Sequence, residues 1–309
     1  MKISIAMATY NGAKYLEDQL NSFLLQDLLP DELVVCDDDS TDETIELLQK
    51  FSRNAPFSVK IYSNITRLGY AQNFARALSL CTGDYVFLSD QDDVWLNNKI
   101  SYCIDYFEKN KNTNLLFTNA LLVNSNLESL KQTIIDFNKR DNNNPDPNNH
   151  GCCVCIRKTF LDIFLPIPSN WAHDTWLNSC AKLVSCKSIT SDVLMLYRRH
   201  EKAETVNQLG GIVCHYAKKV IGLFNKKDKL RYDYTIFLEL YNRFLKQRVF
   251  YPKAYDELLL IKNNLEERLV CYNLKGLSRL RYILKLYKKG VYDVFPDPWK
   301  RTIEDILVR

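Results

Sequence analysis

Residues 33–44 read Leu-Val-Val-Cys-Asp-Asp-Asp-Ser-Thr-Asp-Glu-Thr. Four apolar positions run straight into acids and hydroxyls, and a helical pattern follows. The same plan recurs on both sides. Ile3–Ala8 is strand-like, and Ala13–Gln26 carries Tyr15, Leu16, Leu20, Phe23 and Leu24 at helical spacing. A strand over Glu32–Cys36 precedes a helix over Thr41–Phe51, and a strand over Val59–Tyr62 precedes a helix over Tyr70–Leu80. That helix sets Phe74, Ala77 and Leu78 on one face. Asp84–Leu88 is a fourth strand, Asn97–Lys109 a helix, and Leu115–Val123 one or two strands more. Short strands alternating with helices build βαβ units, so the pattern predicts an α/β fold with a mostly parallel central sheet. Ligands of such sheets bind at the carboxyl ends of the strands.

Further along, the polar stretch 138–149, NKRDNNNPDPNN, predicts a loop, either a surface excursion or a lid beside the site. A strand over Cys152–Ile156, a helix around Asp174–Leu183 and a strand ending near Tyr197 complete residues 1–205. From 206 to 309 the pattern changes to long helical stretches in which Lys and Arg interleave with apolar residues. The charge divides in the same way. Residues 1–200 carry 19 Lys and Arg against 24 Asp and Glu, and the remainder 22 against 13. The two parts are therefore expected to do different jobs.

Composition narrows the classes. With 309 residues, 46% hydrophobic and 25% charged, the chain can bury a large core and is not disordered. Nine Gly and nine Pro exclude collagen-like and low-complexity chains. No apolar run approaches the ~18 residues of a spanning helix. The opening MKISIAMATYNG lacks a long apolar signal core and reads as a first strand, which predicts a cytoplasmic protein. In that compartment the ten cysteines are read as reduced. The stretch His150-Gly151-Cys152-Cys153-Val154-Cys155 has the wrong spacing for zinc and reads as a buried strand.

Three acidic clusters follow predicted strands or open a helix: Asp37-Asp38-Asp39-Ser40-Thr41-Asp42, Asp90-Gln91-Asp92-Asp93 and His173-Asp174. Each alone reads equally as a turn and helix cap, since Asp, Ser and Thr cap helices. Together, at the carboxyl edge of one sheet, they repel one another unless a cation or a set of donors neutralises them. A hard divalent cation, Mg²⁺ or Mn²⁺, with a diphosphate is the natural partner.

Six segments carry a family resemblance: MATYNG (7–12), VVCDDDSTDET (34–44), NFARAL (73–78), FLSDQDDVW (87–95), AHDTW (172–176) and YRRH (197–200). In this order and spacing the sequence resembles a family 2 glycosyltransferase with the GT-A nucleotide-sugar-binding fold, over about residues 1–205. It is most similar to the bacterial rhamnosyltransferase-like branch that builds cell-surface polysaccharides.

The resemblance implies a role for each matched position. Ala8 and Tyr10 line the base and ribose, and Asp37 accepts a hydrogen bond from a pyrimidine. Asp90-Gln91-Asp92 is the DxD motif, Asp90 touching ribose or sugar and Asp92 the metal that bridges the diphosphate. His200 completes the metal site or contacts the diphosphate. Asp174 matches the catalytic base. Arg198 and Arg199 are candidates for phosphate pairing; which of the two faces inward is open, because successive strand residues point opposite ways. Asp39 stands where the family has Gly, and Asp tolerates the left-handed turn better than most residues. One base and one metal, with no carboxylate placed as nucleophile, suit single displacement with inversion.

The donor this implies is dTDP-rhamnose, with a UDP-hexose as the alternative, and the acceptor a saccharide or lipid-linked saccharide. A non-catalytic nucleotide-sugar-binding subunit of a polysaccharide assembly complex is the rival reading. Asp92, Asp174 and His200 together argue against it. Thr9-Tyr10-Asn11-Gly12 replaces the glycine-rich turn of a dehydrogenase, and no Walker A or Gly-x-Ser-x-Gly sequence occurs. A nucleotidyltransferase would need an early Gly-rich basic loop, which is missing. In the basic region Tyr282, Leu286, Tyr287, Lys288, Lys289, Tyr292, Phe295 and Trp299 interleave. That composition fits peripheral contact with the inner face of the cell membrane. It fits equally a helical subdomain with solvated charges. Nucleic-acid binding is not expected, since no reader motif is present.

Overall fold

The computed structural model describes residues 1–142, 150–169, 171–200, 226–271 and 273–293, and positions 302, 305 and 306. The chain forms two compact units, Met1–Glu201 and Lys202–Arg309. The boundary expected near residue 205 lies outside the described residues.

The first unit begins with β1 (Ile3–Thr9), α1 (Ala13–Leu24), β2 (Glu32–Asp37), α2 (Thr44–Asn54), β3 (Ser58–Ser63), α3 (Tyr70–Leu80) and β4 (Tyr85–Ser89). β1 pairs in parallel with β2 and β4, and β2 with β3. β2 and β4 are buried along their whole length, as continuous apolar strands covered on both faces should be. Thr9 lies opposite Asp37, and Met7 opposite Ser89. The register therefore brings the ends of β1, β2 and β4 side by side.

Then follow β5 (Val94–Trp95), α4 (Lys99–Lys109), β6 (Leu115–Val123), β7 (Ser129–Thr133), α5 (Ile134–Asn142), β8 (Val154–Arg157), α6 (Lys158–Phe164), α7 (His173–Leu183) and β9 (Lys187–Arg198). The sheet runs β3-β2-β1-β4-β8-β6-β9-β5, with β7 paired to β6. It is parallel from β3 to β4 and mixed beyond, where β8 is antiparallel to both neighbours while β9 is parallel to β6.

Several local departures from the sequence pattern have visible causes. α2 starts at Thr44 rather than Thr41 because the intervening side chains bond elsewhere. Ser40 Oγ accepts the Asn11 N–H, Asp42 accepts that of Ala13, and the Thr41 N–H goes to Asn11 Oδ1. The polar stretch expected as a loop begins inside α5, whose Ile134 and Ile135 are buried and whose Ile135 N–H is accepted by Asn119. Residues 143–149 lie outside the described set. The strand expected from Cys152 starts at Val154, after one 3-10 turn over Gly151–Cys153. The nine described cysteines are buried, and none of them forms a disulfide among the described residues.

The second unit contains α8 (Lys226–Lys246), α9 (Pro252–Cys271) and α10 (Gly276–Lys288). Cys271, Ile283, Leu286, Val291 and Tyr292 form a small core. Beside it Arg268 grips Asp305 through two 2.8 Å bonds, and Tyr292 donates to the same carboxylate. Among the described residues no helix is long and apolar enough to cross a membrane.

Candidate active site

The turn after β2 is stitched to the turn after β1. Asp37, 1% exposed, accepts the Thr9 hydroxyl (2.7 Å), the Ser40 hydroxyl (2.6 Å) and the Ser40 N–H (2.9 Å). Asp38, also buried, takes Asn64 Nδ2 and the N–H groups of Leu68 and Gly69, which fixes the loop before α3. Asp39 adopts φ 67°, the left-handed conformation expected where the family carries Gly. Asn73, of the NFARAL segment, donates to the carbonyls of Thr9 and Cys36 and ties the ends of β1 and β2.

Ala8 and Tyr10 are half-buried at this edge. The Arg67 guanidinium lies 3.6 Å from the centre of the Tyr10 ring. Arg67 sits on an exposed loop and nothing in its sequence neighbourhood marks it. Gln91 grips the Tyr10 backbone from the DxD turn, accepting its N–H at 2.9 Å and donating to its carbonyl at 3.0 Å. Gly12 makes room for this, since a Cβ there would stand 2.1 Å from Gln91 Oε1.

The turn after β4 differs in kind. Asp90 is half-buried and Asp93 is 1% exposed. Burial, with the charge of Asp92, raises Asp90 to about 7. Burial and the charges of Asp92 and Asp90 push Asp93 well above the carboxylate range. Asp93 Oδ1 accepts the Arg198 N–H at 3.0 Å, while Oδ2 is buried without a partner among the described residues. Asp90, Asp93 and Cys152 offer ligand atoms within 4.8 Å of one another. The Cys152 thiol is held protonated by its bond to Cys153 and by burial, so it suits no hard cation.

Behind this turn Lys99 is fully buried. Its ammonium donates to the Cys152 carbonyl at 3.0 Å and lies 4.3 Å from the Trp95 ring centre. Its charge lowers Asp90 against the other influences.

Asp92 Oδ2 and His200 Nε2 lie 2.8 Å apart. Adjacent ligand atoms of an octahedral ion at ~2.1 Å stand about 3 Å apart, so this pair fits two positions around Mg²⁺ or Mn²⁺. The Tyr15 ring supports His200 at 4.8 Å. Arg198 is spent on the turn itself. Its Nε donates to the Asp92 carbonyl, Nη1 to that of Ser125 and Nη2 to Asp18, and its guanidinium lies 4.5 Å from the Tyr15 ring centre. The structure therefore places Arg198 as a clamp on the DxD turn rather than as an open guanidinium. The Arg199 guanidinium lies 5.7 Å from the Phe137 ring centre, and its charge helps lower His150.

Asp174 stands in the first turn of α7, where the helix dipole favours a carboxylate. Its Oδ1 accepts from Thr175, and Oδ2 has no partner among the described residues. Its charge is felt at both Asp90 and His150. Burial lowers His150 to about 4 and also lowers His173, so both rings are neutral at pH 7. His173 stacks on Phe74 at 4.2 Å, and neither ring nitrogen has a hydrogen-bond partner among the described residues. Gly151 admits it, since a Cβ there would meet His173 Nε2 at 2.5 Å. The sequence pattern gave no notice of Lys99 or Arg67, and it weighed His150 only as part of a stretch with the wrong spacing for zinc. It held Gln91 and Asp93 within an acidic run without separating their tasks.

A parallel-edge α/β unit with an acid-and-histidine pair where β4 ends is an arrangement of GT-A type. The chain belongs to glycosyl transferase family 2, whose family model matches residues 4–164. It is 31% identical over 242 residues to a dTDP-rhamnosyl transferase, RfbG, of Shigella flexneri, covering 72% of this chain and 80% of that one. It is 23% identical over 289 residues to the abequosyltransferase RfbV of Salmonella typhimurium, covering 84% and 80%. Among solved structures, S. aureus TarS 1-349 in complex with UDP-GlcNAc matches with TM-score 0.57 and 22% identity, covering all of this chain and 84% of that one. That likeness bears on the fold.

Proposed function

We propose that the chain transfers a sugar, with inversion, from a nucleoside-diphosphate sugar to a saccharide or lipid-linked saccharide in bacterial cell-surface polysaccharide synthesis. The observation that carries this reading is the Asp92–His200 pair at 2.8 Å, on the sheet edge that Asp174 also borders. dTDP-rhamnose is the favoured donor, in keeping with the RfbG likeness.

In this reading Ala8 and Tyr10 hold the base and ribose. Asp37 accepts the pyrimidine imide N–H with the acceptor capacity its three bonds leave. Asp90 contacts the ribose or the sugar. Asp92 and His200 hold Mg²⁺ or Mn²⁺, which when bound offsets the charge growing on the departing diphosphate. Arg199 pairs with a phosphate, while Arg198 holds the turn. Asp174 Oδ2 takes the proton of the acceptor hydroxyl as its oxygen bonds to the anomeric carbon. The bond from that carbon to the diphosphate breaks, and the nucleoside diphosphate leaves with the electron pair. The enzyme works in the cytoplasm or peripherally at the inner face of the membrane.

Nucleoside-diphosphate release from a panel of dTDP- and UDP-sugars, with Mn²⁺ or with EDTA, tests this. Release from one donor, abolished by EDTA, is expected. Donor binding that is indifferent to EDTA would remove the metal from the reading, and binding of no donor would remove the reading.

A further inference from the structure

We propose that α10 docks the chain on an anionic lipid surface through Leu277, Leu280, Leu284 and Tyr287, with Arg281, Lys285 and Lys288 beside them. The helix Gly276–Lys288, Gly-Leu-Ser-Arg-Leu-Arg-Tyr-Ile-Leu-Lys-Leu-Tyr-Lys, carries four cations, and its C-cap adds a fifth.

 The five are Arg279, Arg281, Lys285 and Lys288 together with Lys289 at its C-cap, and the helix holds neither Asp nor Glu. One face is already packed: Ile283 and Leu286 are fully buried in the core with Cys271, Val291 and Tyr292. The helix therefore needs none of its other apolar side chains to stay in place. Yet Leu277 is 72% exposed, Leu280 39%, Leu284 50% and Tyr287 51%.

At about 100° per residue these four fall in one stripe, Leu277 under Leu284 and Leu280 under Tyr287. Arg281, Lys285 and Lys288 fall in the adjacent stripe, on the side away from Leu280 and Tyr287. Single exposed apolar residues are ordinary, but a continuous stripe marks an interaction face. Parallel apolar and basic stripes on one helix suit the plane of a bilayer interface, with the cations at the phosphates. A second copy fits poorly, because a two-fold contact would set cations against cations.

The structure also changes which residues face the lipid. Leu286 and Tyr292, expected there from the sequence, are buried, and Tyr282 bonds to Glu267. Lys289 pairs with Glu267. Phe295 and Trp299 lie outside the described residues.

The test is sedimentation of the full chain with vesicles of phosphatidylcholine, with and without phosphatidylglycerol. It needs no sugar donor, so its failure is separate from that of the transfer reading. Binding to the anionic vesicles, weakened by salt, is expected. Leu277→Gln with Leu284→Gln should weaken it about tenfold. Replacing Arg281, Lys285 and Lys288 by Gln should weaken it by about fivefold per cation. Thermal unfolding and donor hydrolysis should be unchanged in both variants. No binding to anionic vesicles, or variants that bind like the parent, would overturn the proposal. So would a dimer seen by light scattering that the Leu variant splits, since the face would then belong to a second copy.

Discussion

The two acidic turns of the sheet edge look alike in sequence and behave oppositely in the fold. After β2, Asp37 and Asp38 are buried and their oxygens accept hydroxyl and N–H groups, from Thr9, Ser40, Asn64, Leu68 and Gly69. After β4, Asp90 and Asp93 are crowded by Asp92, and Asp93 keeps a buried oxygen without a partner among the described residues. Donors already offset the acids of the first turn and fix its backbone. In the second, too few donors meet the acids, so burial and mutual repulsion raise them, a penalty that a bound cation would relieve. Acid density does not separate the two; satisfaction of the oxygens does.

The largest expected effect lies at the second turn and its neighbour. Asp174→Asn should lower transfer by about 10²–10⁴-fold with donor binding retained. Asp92→Ala should instead remove the metal dependence of donor binding, read by calorimetry. Equal loss of donor binding in both would erase the distinction drawn between base and metal ligand.

Next comes stability. Asp38→Asn turns an amide donor toward three donors and should cost about 3 kcal/mol in denaturant unfolding. Asp93→Asn, replacing a carboxyl that burial and its acidic neighbours shift toward the neutral form, should fall within about 0.5 kcal/mol of the parent in metal-free protein. Similar costs for both would break the comparison.

Glu32 provides a paired acid of the same strand as a control. Burial alone would raise it, but Lys60, Ser4 and Thr82 overcome that and hold it at about 2. A depressed carboxylate stabilises the fold above its unfolded value near 4.5 and loses that contribution as pH falls toward 2. Glu32→Gln should therefore cost about 2 kcal/mol at pH 7 and progressively less below pH 4.5.

Gly12→Ala is expected to displace Gln91 and loosen the two turns from each other. Donor KM should rise about fivefold, roughly 1 kcal/mol, with the unfolding temperature little changed. An effect of similar size concerns Asp90, whose raised value reverses the sign seen at Glu32. A raised carboxyl favours the fold below its unfolded value near 3.8, and that advantage is lost as pH rises through about 7. In metal-free protein Asp90→Asn should thus stabilise by about 1 kcal/mol at pH 8 and have no effect at pH 4. A gain of equal size at both values would refute the assignment.

Much of the parallel half was legible. The helix expected over Tyr70–Leu80 has those bounds, and β1 and β2 extend their expected strands by one residue, Thr9 and Asp37. Each is a local pattern with a period of its own. α6, β5 and β7 escaped because they are short, and α5 because its polar composition hid two buried isoleucines. The candidate site was legible as residue types at sheet ends: Asp92 and His200 do meet. The task of Arg198 was not, because its adjacent arginine is chemically identical and only the strand's orientation tells them apart. Nor was Lys99, an ordinary helix residue in sequence that the fold buries behind the DxD turn.

What the amino-acid sequence determined by itself was the alternation of strand and helix and the placing of acids where parallel strands end. Both follow from periodicity and from the rule that such sheets bind ligands at their carboxyl edge. Tertiary structure alone decided which acids are met by donors and which are not, that Arg198 is held on the turn after β4, and which face of α10 is open. Those outcomes depend on partners far away along the chain, as Arg198 is from Asp92 or Thr9 from Asp37. A carboxylate's environment is set by the donors and charges around it in space, and no local pattern records them.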